Sequence, residues 1–457
     1  MARASGLNKQ EGSAVVKVYE TLTGVTVGPR LSWTVSLAPI QPAPDQDRTT
    51  MTSDRIIIAG AGHAGGSAAA MLRQLGWKTG ITLIGEEPLP PYQRPPLSKA
   101  WLKGEADAES LALRPPAFYN DADIELRLND RVTKIDPAAH AATFGDGDTM
   151  HYAHLILATG SRARRIPLPG IDQANVLELR TAADADKLKA VLGPGRRLAI
   201  IGGGYIGLEA AASARSLGAE VTIIELAPRV LARVACEILS NFFQDFHRSQ
   251  GVTIELNAGV QALEGEGTVT GVRLADGRTI PCDAALIGVG GVPNEELAKD
   301  AGLACDGGIV VDLDARTSNP TIFAIGDCTK RQLPLYDRTM RLESVPNALE
   351  QAKQAASAIC GRARPAAEVP WFWSDQYDLR LQIAGIPFDA TQIVVRGDVA
   401  AGKFALFHLA EDGTVQAVEA VNSPPEFMGG HRIVQRRKQL TADRIMDLSV
   451  TMQELAS

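Results

Sequence analysis

Cysteine is missing from the first 235 residues of this 457-residue chain. The five that follow, Cys236, Cys282, Cys305, Cys328 and Cys360, are odd in number and widely scattered. That pattern excludes a disulfide framework, a thioredoxin-like dithiol and a zinc ribbon, and it predicts a reducing compartment and no metal site. Long apolar runs are missing too. No stretch approaches the roughly 18 residues of a membrane helix, and no apolar segment follows the start methionine, so the chain reads as cytoplasmic. Positive charge is in deficit, with 46 Lys and Arg against 53 Asp and Glu. A net charge of −7 gives no reason to expect nucleic acid or an anionic membrane as partner. Aromatic residues are scarce at 5%, yet "VPWFWSDQY", Val369 to Tyr377, places two of the five tryptophans within three residues.

What is present is glycine, 43 residues of it, in a chain with 45% hydrophobic content and length for about three domains. The first 50 residues have weak periodicity and end in "APIQPAPDQDRTTM", so residues 1–50 are expected to be a poorly ordered extension, with Met51 the natural start of the fold. From there short β-branched runs alternate with alanine-rich helical segments, the rhythm of a parallel α/β fold. From about Val369 the rhythm changes: "LQIAG", "TQIVVRG", "FALFHL" and "TVQAVEAV" read as antiparallel strands.

Two βαβ beginnings are near copies. In "RIIIAGAGHAGG" Gly60, Gly62 and Gly65 form G-x-G-x-x-G between a strand and a helix, and Glu86 ends the next strand. The first glycine permits the tight turn, the second lets a pyrophosphate approach, and the third lets helix and strand pack closely. An anion there meets the free N–H groups of the helix N-terminus. In "RLAIIGGGYIGLE" Gly202, Gly204 and Gly207 repeat the pattern, with Glu225 at the second strand end. A carboxylate at that place binds an unmodified ribose and repels a 2′-phosphate, which favours NAD over NADP, although Arg229 and Arg233 follow closely. Two such units imply two dinucleotides, and the economical pair is a held FAD and an exchangeable NADH, with hydride passing between them.

These motifs, with "LPPYQRPPLSKAWL", "LILATGSRARRIP", "GVGGVPN", "TIFAIGDC", "ESVPNALEQA" and "PWFWSDQY", resemble the two-dinucleotide-domain flavoprotein superfamily, and more closely the NADH-dependent ferredoxin reductases of bacterial oxygenase systems. The resemblance implies an NAD-binding domain (166–289) inserted in an FAD-binding domain (51–165 and 290–368), followed by a C-terminal α+β interface domain (369–457). For FAD it implies His63, Ala64, Arg94, Lys99, Val132, Ala158, Thr159, Gly160, Arg180, Gly326, Asp327, Val345, Pro346 and Trp373. For NADH it implies Tyr205, Ile206, Glu209 and Gly290. Lys99 would pair with Glu209 beside the flavin, and the helix near Pro346 would aim its N-terminus at the flavin pyrimidine edge. Trp373 would cover the flavin, with Trp371 and Phe372 in the core; Lys99, Glu209 and Trp373 are thus the expected catalytic residues. Disulfide reductases of this superfamily keep cysteines by the flavin, and this chain has none there. Electrons would therefore leave through a docked carrier, a [2Fe–2S] ferredoxin that serves an oxygenase such as a cytochrome monooxygenase. Arg432, Arg436, Arg437 and Lys438, with Arg362 and Arg380, offer a basic face to such an acidic partner, and the enzyme is expected to be a monomer or weak homodimer. The alternatives are a rubredoxin, nitrite or small-molecule reductase on the same scaffold, or a flavin redox sensor like apoptosis-inducing factor.

Overall fold

The computed structural model describes residues 54–457, and both the extension expected over 1–50 and the start at Met51 lie outside the described residues. Three five-stranded sheets organise the molecule. The first has the all-parallel order Ile322–Ala324, His154–Leu157, Ile56–Ala59, Ile81–Gly85, Ile124–Leu128. Its strands are unbroken apolar runs because both faces are covered: Ile56, Ile57 and Ile58 are all fully buried. The helices His63–Gln74 and Val345–Ile359 cover one face through Ala68, Ala69, Ala352, Ala355 and Ala356. Their small side chains let the two helices sit close together. The antiparallel ribbon of Val132–Asp136, Ala141–Phe144 and Thr149–His151 covers the other.

The second sheet repeats the design with Thr253–Glu255, Glu220–Ile224, Arg197–Ile201, Ala284–Ile287 and Val176–Leu177, again all parallel. All of it falls between two neighbouring strands of the first sheet, His154–Leu157 and Ile322–Ala324. The chain departs through Ser161–Ala163 and returns through Gly291–Pro293, and these two segments pair antiparallel. The second nucleotide unit is therefore an insertion in the first.

The third sheet is antiparallel, in the order Trp371–Gln376, Leu379–Gly385, Val415–Val421, Lys403–Leu409, Gln392–Asp398. Every residue of its central strand Val415–Val421 is buried. Alternate residues explain this. Phe407, Val418 and Ala420 pack under the helix Pro424–Gln435, whereas Phe404, Leu406 and Val421 pack against Leu239 and Phe243 of the helix Glu237–Ser249 in the second unit. The aromatic-rich segment is itself the edge strand of this sheet. No helix among the described residues is long and apolar enough to cross a membrane.

Candidate active site

Each glycine turn is fixed by close backbone approach. Gly60 has φ +118°, and a Cβ there would stand 2.1 Å from the Ala158 carbonyl oxygen; Gly202 has φ +109°, and its Cβ would stand 2.4 Å from the Gly288 oxygen. A Cβ on Gly65 would meet Gly60 O at 2.0 Å, and one on Gly207 would meet Gly202 O at 2.4 Å. These four positions admit only glycine. The middle glycines differ: a Cβ on Gly62 or Gly204 would find no atom within 4 Å. The space they keep open lies at the first turn of the helices His63–Gln74 and Tyr205–Ser216, where a pyrophosphate finds unpaired N–H donors.

The first turn opens onto a cleft of about 790 Å³, within the usual range for ligand sites. Gly60, Gly62, His63, Ala64, Glu86, Arg94, Lys99, Val132, Ala158, Thr159, Gly160, Arg180, Gly326, Asp327, Val345 and Trp373 all line it, as do Tyr205, Ile206 and Glu209 from the second unit. Gly65 and Pro346 do not: the first supports the turn, and the second lies buried in the first turn of its helix. Gly202, Gly204, Gly207, Glu225 and Gly290 lie outside the cleft, around the second turn.

The residues fit an FAD. A long cleft holds an open glycine turn at the helix N-terminus, and the buried Nδ1 of His63 in its wall has no hydrogen-bond partner. Burial holds the His63 pKa down at about 4 against the pull of Asp327, so the ring is neutral. Glu86, at the end of Ile81–Gly85, keeps an exposed carboxylate with only a 3.8 Å pair to Arg131, available to ribose hydroxyls. Arg180 pairs with Asp327 at 2.9 Å, and Arg94 is held by Glu87 and by the Arg180 carbonyl, each at 2.6 Å. These contacts hold the Arg94 guanidinium in the cleft wall, between its own loop and Arg180. Thr159 and Asn294 exchange side-chain to backbone hydrogen bonds of 2.7 and 2.8 Å, which lock the "ATG" turn to the returning chain. Ser344 caps the helix Val345–Ile359 by accepting from Asn347 N, and Ser344, Val345 and Ala348 present that helix N-terminus to the cleft.

Where the two units meet, Lys99 Nζ stands 2.6 Å from Glu209 Oε2. Glu209 is only 5% exposed, and a carboxylate so placed needs several donors. It accepts from Ser98 Oγ and from Ser374 Oγ, both at 2.6 Å. Ser374 in turn accepts from Gln376 Nε2 at 3.1 Å, and Gln376 Oε1 lies 2.8 Å from Nε2 of His247. Burial holds the His247 pKa at about 4, so the neutral ring donates to Gln376 through Nε2. One polar chain therefore joins all three parts of the protein at the cleft.

The second turn has a different character. Glu225 accepts from Gly203 N at 2.7 Å and from Ala227 N at 2.8 Å, so its carboxylate is already oriented at the strand end. Around it Ile206, Leu226 and Val234 are 48%, 75% and 51% exposed, apolar surface open to an incoming ring. Arg229 is spent on the Ala235 and Ala232 carbonyls and on Ser240, whereas Arg233, exposed beside Gly290, has no hydrogen-bond partner among the described residues.

Trp373 lines the cleft as expected, but so does Phe372, whose ring packs at a tilt of 42° against Tyr205 with centroids 4.8 Å apart. Phe372 is therefore cleft wall and not core, because the strand is half-buried on both faces. Trp371 packs between Trp373 and Phe427, at 5.5 and 5.8 Å. Ser98, Ser374 and Leu226 escaped the sequence reading, although they adjoin Lys99, Trp373 and Glu225. Of the basic run, Arg436 and Arg437 donate to the carbonyls of Ala456 and Leu335, and Arg362 donates to Leu75 O. Cys328 is fully buried with its thiol directed at backbone carbonyls, a packing residue.

A flavin cleft sharing a wall with an open nicotinamide-nucleotide site defines an oxidoreductase that moves electrons between FAD and NAD(H). The family model "pyridine nucleotide-disulphide oxidoreductase" matches residues 54–352, and "reductase C-terminal" matches 371–456. The chain belongs to the pyridine nucleotide-disulphide oxidoreductase family. It is 52% identical to a probable ferredoxin reductase, CtmF, of Castellaniella defragrans, over 88% of this chain and 99% of that one. Among solved structures it resembles the covalent putidaredoxin reductase–putidaredoxin complex, with TM-score 0.86, 41% identity and coverage of 88% and 98%. It resembles equally the ferredoxin reductase for the CYP199A2 system from Rhodopseudomonas palustris, with TM-score 0.86, 42% identity and coverage of 89% and 100%.

Proposed function

We propose that this chain is an NADH:ferredoxin oxidoreductase whose [2Fe–2S] partner serves an oxygenase, a cytochrome monooxygenase in the first instance. Bound FAD supplies the conversion of a hydride from NADH into single-electron transfers. The observation that carries the reading is the Lys99–Glu209 pair, set where Tyr205 and Ile206 of the nicotinamide unit enter the flavin cleft. Glu209 fixes the Lys99 ammonium in the cleft wall, and that charge favours negative charge beside it. The N-terminus of the Val345–Ile359 helix adds a second positive field. Tyr205 and Ile206 present the nicotinamide surface, and Glu225 receives the adenosine ribose of NADH. Among the described residues no cysteine lines the cleft, so no thiol there takes electrons. Phe372 and Trp373 close the C-terminal side, exclude water and offer a polarisable route to a docked carrier.

Anaerobic reduction with NADH, followed by mixing with a [2Fe–2S] ferredoxin, a rubredoxin or a quinone, tests the assignment. The ferredoxin is expected to be the fastest acceptor. Faster turnover with rubredoxin or quinone would reassign the acceptor, and a long-lived reduced complex that ferredoxin does not discharge would mark a redox sensor.

A further inference from the structure

A second polar cluster lies where the C-terminal sheet meets the nicotinamide unit, and the electron path does not use it. Cys236 caps the helix Glu237–Ser249, His408 comes from the strand Lys403–Leu409, and Glu419 comes from Val415–Val421. His408 Nε2 is 3.0 Å from Glu419 Oε2, Cys236 Sγ is 3.4 Å from the same oxygen, and all three ligand atoms lie within 4.8 Å of one another. His408 and Glu419 are 3% and 2% exposed. Positions so far apart in the chain form no ligand motif, which is why spacing predicted no metal.

Among the described residues, no lysine or arginine pairs with Glu419, whose contacts come from the His408 ring and the Cys236 thiol, and a buried carboxylate with no permanent positive charge beside it is costly. Tyr205 completes the picture, since its hydroxyl is buried without a partner. A divalent cation would neutralise the carboxylate and a thiolate together. In a tetrahedral zinc site with bonds of roughly 2.0 to 2.3 Å the ligand atoms stand about 3.3 to 3.8 Å apart. Two sides of the triangle, 3.0 and 3.4 Å, lie within a few tenths of an ångström of that range, and the third is no longer than 4.8 Å. Thiolate with imidazole selects zinc over magnesium or calcium.

We propose that Cys236, His408 and Glu419 bind one Zn²⁺, with water as fourth ligand, and that this ion staples the nicotinamide unit to the C-terminal sheet. Binding forms the zinc–sulfur bond and releases the Cys236 proton to solvent. The staple joins the helix Glu237–Ser249 of the nicotinamide unit to the sheet carrying Phe372 and Trp373, and so holds the aromatic wall against Tyr205.

The test uses the full, tag-free, FAD-loaded chain, stripped with chelator and titrated with Zn²⁺ against a chromophoric chelator, then with Co²⁺ by visible absorption beyond the flavin bands. One equivalent per chain is expected, with thiolate-dependent cobalt bands, a higher melting temperature, and protection of Cys236 from alkylation while Cys305 and Cys360 stay reactive. Cys236→Ser and Glu419→Gln should each weaken binding by more than about 10-fold, and Cys305→Ser should leave it unchanged. Should either ligand variant fold poorly, the alkylation pattern of the unmodified chain decides. No stoichiometric binding, or binding that both ligand variants retain with Cys236 unprotected, overturns the site and leaves a metal-free polar cluster.

Discussion

The two nucleotide units share the geometry of their glycine turn and differ in how open the space beside it is. Gly60 and Gly202 have φ of +118° and +109°, and the third glycine of each set has its would-be Cβ against the first glycine's carbonyl oxygen. Yet the first turn lies in the wall of a cleft of about 790 Å³, whereas the second is bordered by exposed Ile206, Leu226 and Val234. The shared part is what a pyrophosphate demands of a backbone. The differing part is enclosure, and enclosure separates a retained cofactor from one that exchanges each turnover. The strand-end acids follow the same division. Glu86 projects freely beside the closed cleft, whereas Glu225 is pinned by two N–H groups at the open one.

The largest effect should come from Gly60→Ala. The substitution strains a positive φ and drives a methyl to 2.1 Å from a carbonyl oxygen, so the protein should purify colourless, as flavin absorbance per chain will show. Gly204→Ala sharpens the contrast. Its φ is −83° and the new methyl meets no protein atom, so melting temperature and flavin content should stay unchanged. The methyl instead displaces the NADH pyrophosphate, and the Michaelis constant for NADH should rise by about 100-fold. A drop in flavin content with Gly204→Ala would erase the distinction between the units.

Glu225→Ala comes next. Removing a charged acceptor should cost about 10-fold in kcat/KM for NADH and narrow its lead over NADPH, measured as the ratio of the two specificity constants. Arg233, which among the described residues near the second turn has no carboxylate partner, can then pair with the 2′-phosphate and adds to the gain for NADPH. An unchanged ratio would mean that Glu225 serves only to hold Gly203 and Ala227.

What was legible in the sequence follows the same physics. Glycine turns, buried strands and strand-end acids are local: each needs a residue type at a fixed offset, so the strands and turns of both nucleotide units could be read ahead, whereas the insertion and the Lys99–Glu209 pair were expected only from the resemblance to known reductases. Contacts that arise only when distant segments meet could not. Ser374 reaches Glu209 across 165 positions, and nothing in "WFWSD" announces it. Phe372 was read as core because a ring in an apolar run usually packs inside, but alternation along an edge strand sets it against Tyr205 instead. Cys236, His408 and Glu419 are a constellation of the same kind, visible only after folding.

The smallest effect tests the joint between the nicotinamide unit and the C-terminal sheet. His247 is fully buried and neutral, with a pKa near 4 in the fold against 6.5 when exposed. Because the folded value is lowered, the unfolded chain binds the extra proton. The contribution to stability is complete above pH 6.5 and is lost as pH falls from 6.5 towards 4, on the order of 3 kcal/mol over the window. His247→Gln keeps a donor for Gln376 and removes the titration. Its melting temperature should fall less steeply than the parent's between pH 6.5 and 4.5, by a few degrees. Equal slopes would show that the joint opens before the rest of the chain unfolds, so that His247 is already solvated when the main transition begins.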